Sequence, residues 1–305
     1  HFSIDGEDFL AVANYFNGSH FAISSKVYQL RSTNPDSHVP LLTYHQSILT
    51  NGARDVKHFT SPGGRHHLAY ANRWGGTVSV HTWDPALQRF APALSLPSRS
   101  CMSLAPLLTR DGATLLVVVN AGARGGSLSD ISGVFRLDLN ACSFNRLQTL
   151  PTTGASYARL AVLGGDALLA VANVHDPAAG SGSSDVYRWD ATRGRFETFL
   201  VLPTRNAYAV AIVDIPCLSA DVVGGSCGTR ERERVVLSVD GWSGGSGIEV
   251  FQLRPFNASA VATHLRAVGA GPRGSAVHNA SAPLLAPATI VQLMRFDAPV
   301  AREWD

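Results

Sequence analysis

A tetrapeptide of valine, an aromatic ring, a polar residue and leucine or tryptophan recurs five times in this chain of 305 residues. The copies are Val27–Leu30, Val80–Trp83, Val134–Leu137, Val186–Trp189 and Val250–Leu253. Their last residues lie 53, 54, 52 and 64 positions apart. A period of about 50 residues is typical of propellers and solenoids, in which each repeat buries its apolar faces against its neighbours. We therefore predict one repeat array and not the two separate domains that the length alone would suggest.

A second recurring element precedes each tetrapeptide. It is an apolar run that ends in asparagine or aspartate, and its copies are Leu10–Asn14, Leu68–Asn72, Leu116–Asn120, Leu169–Asn173 and Val236–Asp240. A run that is apolar on both faces predicts a strand covered on both sides, as between adjacent propeller blades. The terminal Asn or Asp suits the exit of a strand, because its side chain can bond nearby backbone.

Two further strands complete each repeat. One begins at Phe90, Phe144 or Phe196 and ends near a Leu-Pro pair, since proline cannot donate to the strand ladder. A stretch of small residues, such as 153–158, then leads into the next repeat. Four short strands in about 50 residues, with no sustained helical period, predict an all-β fold: a β-propeller of four-stranded antiparallel blades, five of them visible.

The charge balance argues against a nucleic-acid partner. The chain has 25 Lys and Arg against 23 Asp and Glu, a net charge of +2. Because no large field of one sign results, we expect no nucleic-acid partner.

No run of about 18 apolar residues occurs, so we predict no membrane span in this chain. Residues 1–3 match residues 58–60, which precede the next repeat, so we expect the chain to open inside a longer polypeptide.

Four cysteines give one favoured disulfide and one open question. Cys217 and Cys227 flank a short Gly-Gly-Ser segment in the overlong fifth repeat, and we predict a disulfide between them. Cys101 and Cys142 can pair or stay free, and their spacing does not decide between the two. We predict no metal site, since the chain has no Cys-x-x-Cys and no clustered histidines.

Three sequences match the acceptor for N-linked glycans, at Asn17, Asn257 and Asn279. Asn17 is the most persuasive, because Asn17-Gly18-Ser19 falls in a polar connection between two predicted strands. Together with the Cys217–Cys227 loop, these acceptors favour an extracellular or cell-surface location.

The repeat resembles the EPTP repeat, also called the EAR or epilepsy-associated repeat. The matching segments in the first copy are 9–14, 27–28, 46–48 and 50–56, and the fourth copy matches through 169–173 and 185–189. The resemblance covers roughly residues 1–254, so we divide the chain into propeller repeats over 1–255 and a degenerate further blade or closing segment over 256–305. In that family, which includes the leucine-rich glioma-inactivated proteins, the repeats form a seven-bladed propeller in secreted or cell-surface proteins. The resemblance implies protein–protein binding outside the cell, without known catalysis.

No catalytic or cofactor-binding constellation emerges from the sequence. Paired carboxylates of the kind that glycosidases use would have to converge, yet the acids are scattered and none recurs at one repeat position. His66 and His67 should point to opposite faces of a strand, because successive strand residues alternate, and so should not chelate one ion. Trp83-Asp84 and Trp189-Asp190 imitate a WD repeat, but the upstream Gly-His partner is missing. We therefore predict no enzyme, no cofactor and no metal.

Aromatic residues in the loops are the remaining candidates for a binding site. Tyr15, Trp74 and Trp242 follow the Asn or Asp that ends the apolar strand, at nearly equivalent positions. Exposed Trp and Tyr are frequent binding anchors, so these three are predicted to line one rim of the propeller. The alternative is that they pack between blades and cap the core.

The sequence thus favours a non-catalytic extracellular interaction or adhesion module within a larger surface or matrix protein. Its partner would be another extracellular protein, with self-assembly as an option, and N-glycans would decorate it. Two alternatives stay open: a structural subunit of an extracellular polymer or filament, and a lectin-like propeller that binds glycans.

Overall fold

Five four-stranded antiparallel sheets make up the fold, and strands that follow one another in the chain are neighbours in each sheet. The computed structural model describes residues 1–31, 41–121, 131–152, 154–163, 165–174, 183–202, 204, 207–216, 232–240, 246–255 and 288–298. Every element in these ranges is a strand. The strand number and meander order are those of propeller blades, so the predicted all-β propeller fold class is confirmed.

Three sheets belong to a first compact unit, residues 1–155. Sheet one contains β1 (Phe2–Ile4), β2 (Glu7–Val12), β3 (Ala22–Arg31) and β4 (Leu41–Asn51). Sheet two contains β5 (Ala53–Thr60), β6 (His66–Asn72), β7 (Thr77–Asp84) and β8 (Arg89–Pro97). Sheet three contains β9 (Cys101–Leu108), β10 (Thr114–Asn120), β11 (Ile131–Asp138) and β12 (Ser143–Pro151).

Two sheets belong to a second compact unit, residues 156–305, and β13 begins one residue before it. Sheet four contains β13 (Ala155–Leu163), β14 (Asp166–Asn173), β15 (Ser184–Asp190) and β16 (Arg195–Leu202). Sheet five contains β17 (Ala207–Pro216), β18 (Arg232–Asp240), β19 (Ser246–Pro255) and β20 (Ala288–Ala298). The strand β20, which lies in the segment that we set apart as 256–305, pairs with β19 and is the fourth strand of sheet five.

The recurring tetrapeptide marks a β-bulge in every sheet. The pairing between the third and fourth strands shifts register directly after the valine, at Val27, Val80, Val134, Val186 and Val250. A bulge inserts an extra residue and increases the local right-handed twist. The pattern therefore specifies a twisted outer strand pair, in addition to the two buried faces that its alternation predicts.

The apolar second strand of sheet two lies between two cores, as its composition predicts. In β6 the period of two sends Leu68 and Tyr70 toward sheet one and Ala69 and Ala71 toward sheet three. All four side chains are fully buried. The large side chains build an aromatic core with sheet one, and the alanines allow the backbone of sheet three to come close.

In the second unit, the core lies between sheets four and five. Ala170 and Ala172 of β14 face Ala207 and Val210 of β17, again with small side chains at the contact. The Ser156 hydroxyl adds hydrogen bonds to the carbonyl oxygens of Ala207, at 2.8 Å, and Tyr208, at 3.0 Å.

A buried hydroxyl network closes three of the sheets at the end where the asparagines lie. Ser25, Ser132 and Ser184 each bond the threonine near the end of the fourth strand, at 2.8, 2.7 and 2.7 Å. The same serine oxygens accept the backbone N–H of the asparagine at or just beyond the end of the second strand. In sheet two, Val78 replaces the serine and is fully buried.

Cys101 and Cys142 are free thiols, so the pairing that the sequence left open is not formed. Cys101 begins the first strand of sheet three, where it is buried opposite Asn120. Cys142 is exposed in the turn between β11 and β12, at the opposite end of the same sheet. Cys217 and Cys227 lie outside the described residues. No helix in the described part is long and apolar enough to cross a membrane.

Candidate interaction surface

Three loop segments meet at one end of sheets one and two. They are the connection from β2 to β3, the link from β4 to β5, and the turn from β6 to β7. In an antiparallel meander, these segments share one end of the sheets, whereas the remaining turns lie at the other end. The sequence-predicted rim residues Tyr15 and Trp74 both belong to this end.

Tyr15, Phe21 and Trp74 form one aromatic cluster, which we call the aromatic platform. The Trp74 indole N–H donates to the Tyr15 hydroxyl at 3.1 Å. Phe21 packs between them, with its ring centroid 5.2 Å from that of Tyr15 and 4.9 Å from that of Trp74. All three side chains are half-buried. The structure thus brings together two side chains that are 59 residues apart in the chain and adds a third ring.

The backbone beneath the platform is tied across the two sheets. Gly52 donates its N–H to the Phe21 carbonyl at 2.7 Å and accepts the Arg73 N–H at 3.0 Å. Its φ of +61° lies in the left-handed region that favours glycine. A β-carbon there would stand 2.5 Å from Cδ1 of Trp74. Glycine at position 52 therefore allows Trp74 to lie flat against the chain.

Two arginines cover the platform. The Arg54 guanidinium lies 5.1 Å from the centroid of the Tyr15 ring, and the Arg73 guanidinium lies 5.5 Å from that of Trp74. Both separations are within the range of a cation–π interaction. The surface accordingly combines flat apolar rings with positive charge.

The first blade of this chain is similar to a known protein family. An EPTP domain model matches residues 1–30. A mouse protein named thrombospondin-type laminin G domain and EAR repeat-containing protein is 32% identical over 212 residues, 67% of this chain. The chain belongs to the EPTP/EAR repeat family. The human protein of the same name is 31% identical over 212 residues. Each match spans 31% of the relative's own length.

Solved structures resemble these EPTP repeats in fold alone. A 6-phosphogluconolactonase-like protein from Bacteroides uniformis aligns with a TM-score of 0.53 and 17% identity, over 91% of this chain and 72% of that one. The periplasmic gluconolactonase from Pseudomonas aeruginosa aligns with a TM-score of 0.50 and 17% identity, over 95% of this chain and 71% of that one. At such low identity the likeness carries no information about activity.

Three of the other predicted site residues, Trp242, Asn257 and Asn279, lie outside the described residues. Asn17 is exposed, and its side-chain oxygen accepts the backbone N–H groups of Ser19 and His20 at 3.0 and 2.8 Å. Asn17 therefore sits in a tight turn beside the platform.

The histidines of sheet two are structural. His66 and His67 face opposite ways, as strand alternation predicts. His66 bonds His58 at 3.0 Å, whereas His67 bonds Thr82 and Ser61, each at 2.9 Å. Burial, reinforced by neighbouring cationic groups, lowers the pKa of His58 and of His67 to about 4, so both rings stay neutral near pH 7. In the described part of the chain, no three His, Cys, Asp or Glu residues group as a metal site would require.

One acid of the fourth EPTP repeat has a perturbed titration. Burial raises the pKa of the Asp185 carboxyl to about 6, and the Asn173 amide that donates to it at 3.1 Å opposes this. The sequence offers no signal for this perturbed titration, since Asp185 appears there only within the matching segment 185–189. Asp185 lies in β15 two positions before Tyr187, whose side chain also hydrogen-bonds with it.

A hollow of about 640 Å³ lies at the other end of the first unit. Its lining includes Asp5, Arg65, His66, Trp83 and Asp84. The Asp84 carboxylate is already used locally, since it caps the turn after β7 by accepting the N–H groups of Ala86 and Leu87. Asp138 and Asp190 cap the corresponding turns in the same way. The aspartate of each Trp-Asp pair thus has a turn-forming role.

Sequence reasoning missed Phe21, Gly52, Arg54 and Arg73. Gly52 and Arg54 were quoted as part of the EPTP pattern without a role. Phe21 follows the polar Asn17 connection directly, and an aromatic residue at the start of a strand after such a connection is the one signal that could have pointed to it. Arg73 precedes Trp74, but nothing in the sequence indicates that its charge lies over the ring.

Proposed function

We propose that this chain is a non-catalytic extracellular protein-interaction module, and that the aromatic platform with Arg54 and Arg73 is one of its contact surfaces. The observation that carries the proposal is the pre-organised Tyr15–Trp74 pair under two guanidinium groups. Rings that are already locked lose little entropy on binding, and Trp, Tyr and Arg are the residues most often found at binding hot spots.

The family supports the interaction role. The mouse relative is named for EAR repeats and a thrombospondin-type laminin G domain together. This chain corresponds to about a third of such a protein, so we place it as one module beside others. The exposed sequon at Asn17 and the family membership both support a location outside the cell.

The chemistry of the platform selects a kind of partner. Flat rings favour apolar or aromatic side chains. The two guanidinium groups, each over its own ring, favour carboxylates, which they can bind bidentately. We therefore expect a protein partner that presents acidic residues next to apolar ones.

Binding of the purified chain to an array of recombinant receptor and matrix ectodomains tests the proposal. Trp74→Ala removes the ring, and Arg54→Glu reverses a charge while it leaves the rings in place. Each should lower affinity at least tenfold, whereas the control Tyr208→Ala, an exposed ring in the second unit, should not. The proposal is wrong if bound ectodomains are insensitive to both platform variants.

The same preparations separate the two alternatives from the sequence. Binding to a glycan array that depends on Trp74, without any ectodomain bound, would identify a lectin. A sedimentation coefficient that increases with protein concentration, measured by analytical ultracentrifugation, would identify a subunit of a polymer. Either result in place of ectodomain binding overturns the proposed role.

A further inference from the structure

The connection that precedes the aromatic platform has an exposed aromatic ring for which the packing gives no reason. Phe16 is 46% exposed, yet it is not loose, because its ring lies 4.7 Å from that of Phe21 at an interplanar angle of 34°. Phe21 is in turn held against Trp74. One face of Phe16 is thereby presented to solvent in a fixed orientation, directly beside Asn17.

The Asn17 turn is compatible with a carbohydrate on its side chain. The two backbone N–H groups of Ser19 and His20 use only the side-chain oxygen of Asn17. Gly18 has φ at +93°, and a second bond from the Asn17 N–H to the His20 carbonyl, at 3.3 Å, closes the turn. A sugar is joined through Nδ2, so the hydrogen bonds that form the turn remain after modification.

Exposure of a single phenylalanine needs no explanation by itself. What is informative here is the coincidence of an acceptor sequence, a turn that leaves Nδ2 available, and a fixed ring one residue away. The axial C–H groups of a pyranose carry partial positive charge, and they pack well on the negative face of an aromatic ring. The first sugar on Asn17 is attached at the residue next to the one that offers such a face.

We propose that Asn17 carries an N-linked glycan whose first N-acetylglucosamine packs on the exposed face of Phe16. In the modification, Nδ2 displaces the diphosphate of a lipid-linked oligosaccharide, so that an N–C bond forms at the sugar, a C–O bond to phosphate breaks, and Nδ2 loses one proton. The inference depends on the proposed extracellular function, because this transfer occurs in the secretory pathway. The stacked sugar covers Phe16 and borders the platform, which leaves Tyr15, Phe21 and Trp74 to the protein partner.

The test begins with glycan occupancy. The full chain is expressed with a secretion signal in mammalian cells, and Asn17 is examined by mass spectrometry in both the medium and the cell-associated fraction. We expect most chains to be modified, with loss of the modification in Asn17→Gln. An unmodified Asn17 in chains that reach the medium overturns the inference and leaves the proposed interaction role intact.

Stacking is tested on the same glycoprotein after an endoglycosidase has trimmed it to one N-acetylglucosamine. Ring currents should move the sugar proton resonances upfield in the wild type, and enzymatic removal of the sugar should lower Tm by about 2 °C. Both effects should disappear in Phe16→Ala and also in Phe16→Leu, which keeps an apolar side chain but has no ring. An unchanged upfield shift, or an equal change of Tm, in either variant overturns the inference.

Discussion

The contact between sheets one and two and the contact between sheets two and three are packed with different kinds of side chain. Between sheets one and two, the core is aromatic: Trp83 lies 5.6 Å from Phe9 and 5.1 Å from Phe90, ring to ring. Between sheets two and three, the core is mainly leucine and valine with Ala69 and Ala71, and it includes Phe59 and Phe135. We call it the small-residue contact after the two alanines of β6, and β9 approaches β5 and β6 closely there. One repeat pattern therefore supports both a ring-filled and a small-residue contact.

Polar groups bridge the two contacts in matching fashion. At the aromatic contact, the Gln46 amide donates to the Phe90 carbonyl at 2.7 Å and accepts the Phe90 N–H at 2.8 Å. At the small-residue contact, one Asp55 oxygen accepts the Leu104 N–H at 2.9 Å and the Ser103 hydroxyl at 2.7 Å. The difference shows that a carboxylate reaches the neighbouring backbone where sheets approach closely, whereas a longer amide does so where rings separate them.

The aromatic contact also leaves polar atoms unsatisfied. The Tyr70 hydroxyl, both ring nitrogens of His81 and the indole nitrogen of Trp83 are buried without a hydrogen-bond partner. A buried unpaired polar group is unfavourable by about 1–3 kcal/mol. Aromatic packing at this contact must therefore offset the free-energy cost of these unpaired atoms. The core residues of the small-residue contact are apolar and carry no such cost.

The largest effect is expected from Trp83→Ala, which empties the centre of the aromatic contact. Loss of a buried tryptophan lowers the free energy of unfolding by about 3–5 kcal/mol. Urea denaturation followed by circular dichroism measures it. The matched control is Trp189→Ala, since Trp189 occupies the equivalent position but is only half-buried beside Phe196. Equal losses in the two variants would show that the aromatic contact has no special weight.

The second-largest effect is expected from acid, which should weaken the aromatic contact. Burial lowers the pKa of His81 from 6.5 to about 4, so the folded chain keeps it neutral where the unfolded chain takes up a proton. The unfolded state then binds more protons between these values. The contribution of His81 to the free energy of unfolding is therefore fully present above about pH 6.5. It falls by about 2–3 kcal/mol as the pH drops toward 4.

Denaturation curves from pH 7 to pH 4 test the role of His81 directly. His81→Leu should reduce the pH dependence without abolishing it, because His58 and His67 have pKa values lowered to the same extent. It should leave stability at pH 7 equal or higher, because two unpaired nitrogens disappear. His20→Leu, at an exposed position in the β2–β3 connection, should keep the wild-type slope. A wild-type slope in His81→Leu would contradict the assignment.

Asp55→Ala tests the small-residue contact. It leaves the Leu104 N–H and the Ser103 hydroxyl without their acceptor, and we expect a loss of about 2 kcal/mol in unfolding free energy. Asp55→Asn keeps an acceptor oxygen and should lose less than half as much. If the two variants are equally stable, the carboxylate does not bridge the sheets through these bonds.

The smallest effect is expected at Gln46. Gln46→Ala should cost about 1 kcal/mol, the net value of a hydrogen-bonded neutral group in a half-buried place. Gln46→Glu should cost at least as much, because a carboxylate cannot donate to the Phe90 carbonyl. Thermal melting of both variants against the wild type measures this, and a Gln46→Glu chain as stable as the wild type would exclude the paired arrangement.

Much of the fold could be predicted from the sequence, because its signals are local. The double-sided apolar runs became β6, β10 and β14, whose side chains are almost all buried. The Leu-Pro pairs end β8 and β12 near Pro97 and Pro151. The strand-end asparagines bond nearby backbone as expected, with Asn14 donating to the Ser24 carbonyl at 2.8 Å. Each of these features depends on residues that are close together in the chain.

The candidate site could be predicted only in part. Tyr15 and Trp74 were found because they follow equivalent strand ends. Their hydrogen bond, the ring of Phe21 between them and the requirement for glycine at position 52 depend on the packing of one sheet against the next. A pattern within one repeat carries no information about which ring of another repeat it will meet.

The sequence by itself determined that this chain folds into repeated four-stranded blades, how many are visible, and the order of strands within each, because alternation and turn residues act over short distances. Only the tertiary structure decided that one sheet contact is aromatic and the other mainly aliphatic, that the valine of each tetrapeptide precedes a bulge, and that two arginines cover the Tyr15–Trp74 pair. These outcomes depend on the sizes of side chains that meet across sheets, and such sizes act only once the strands have been brought together.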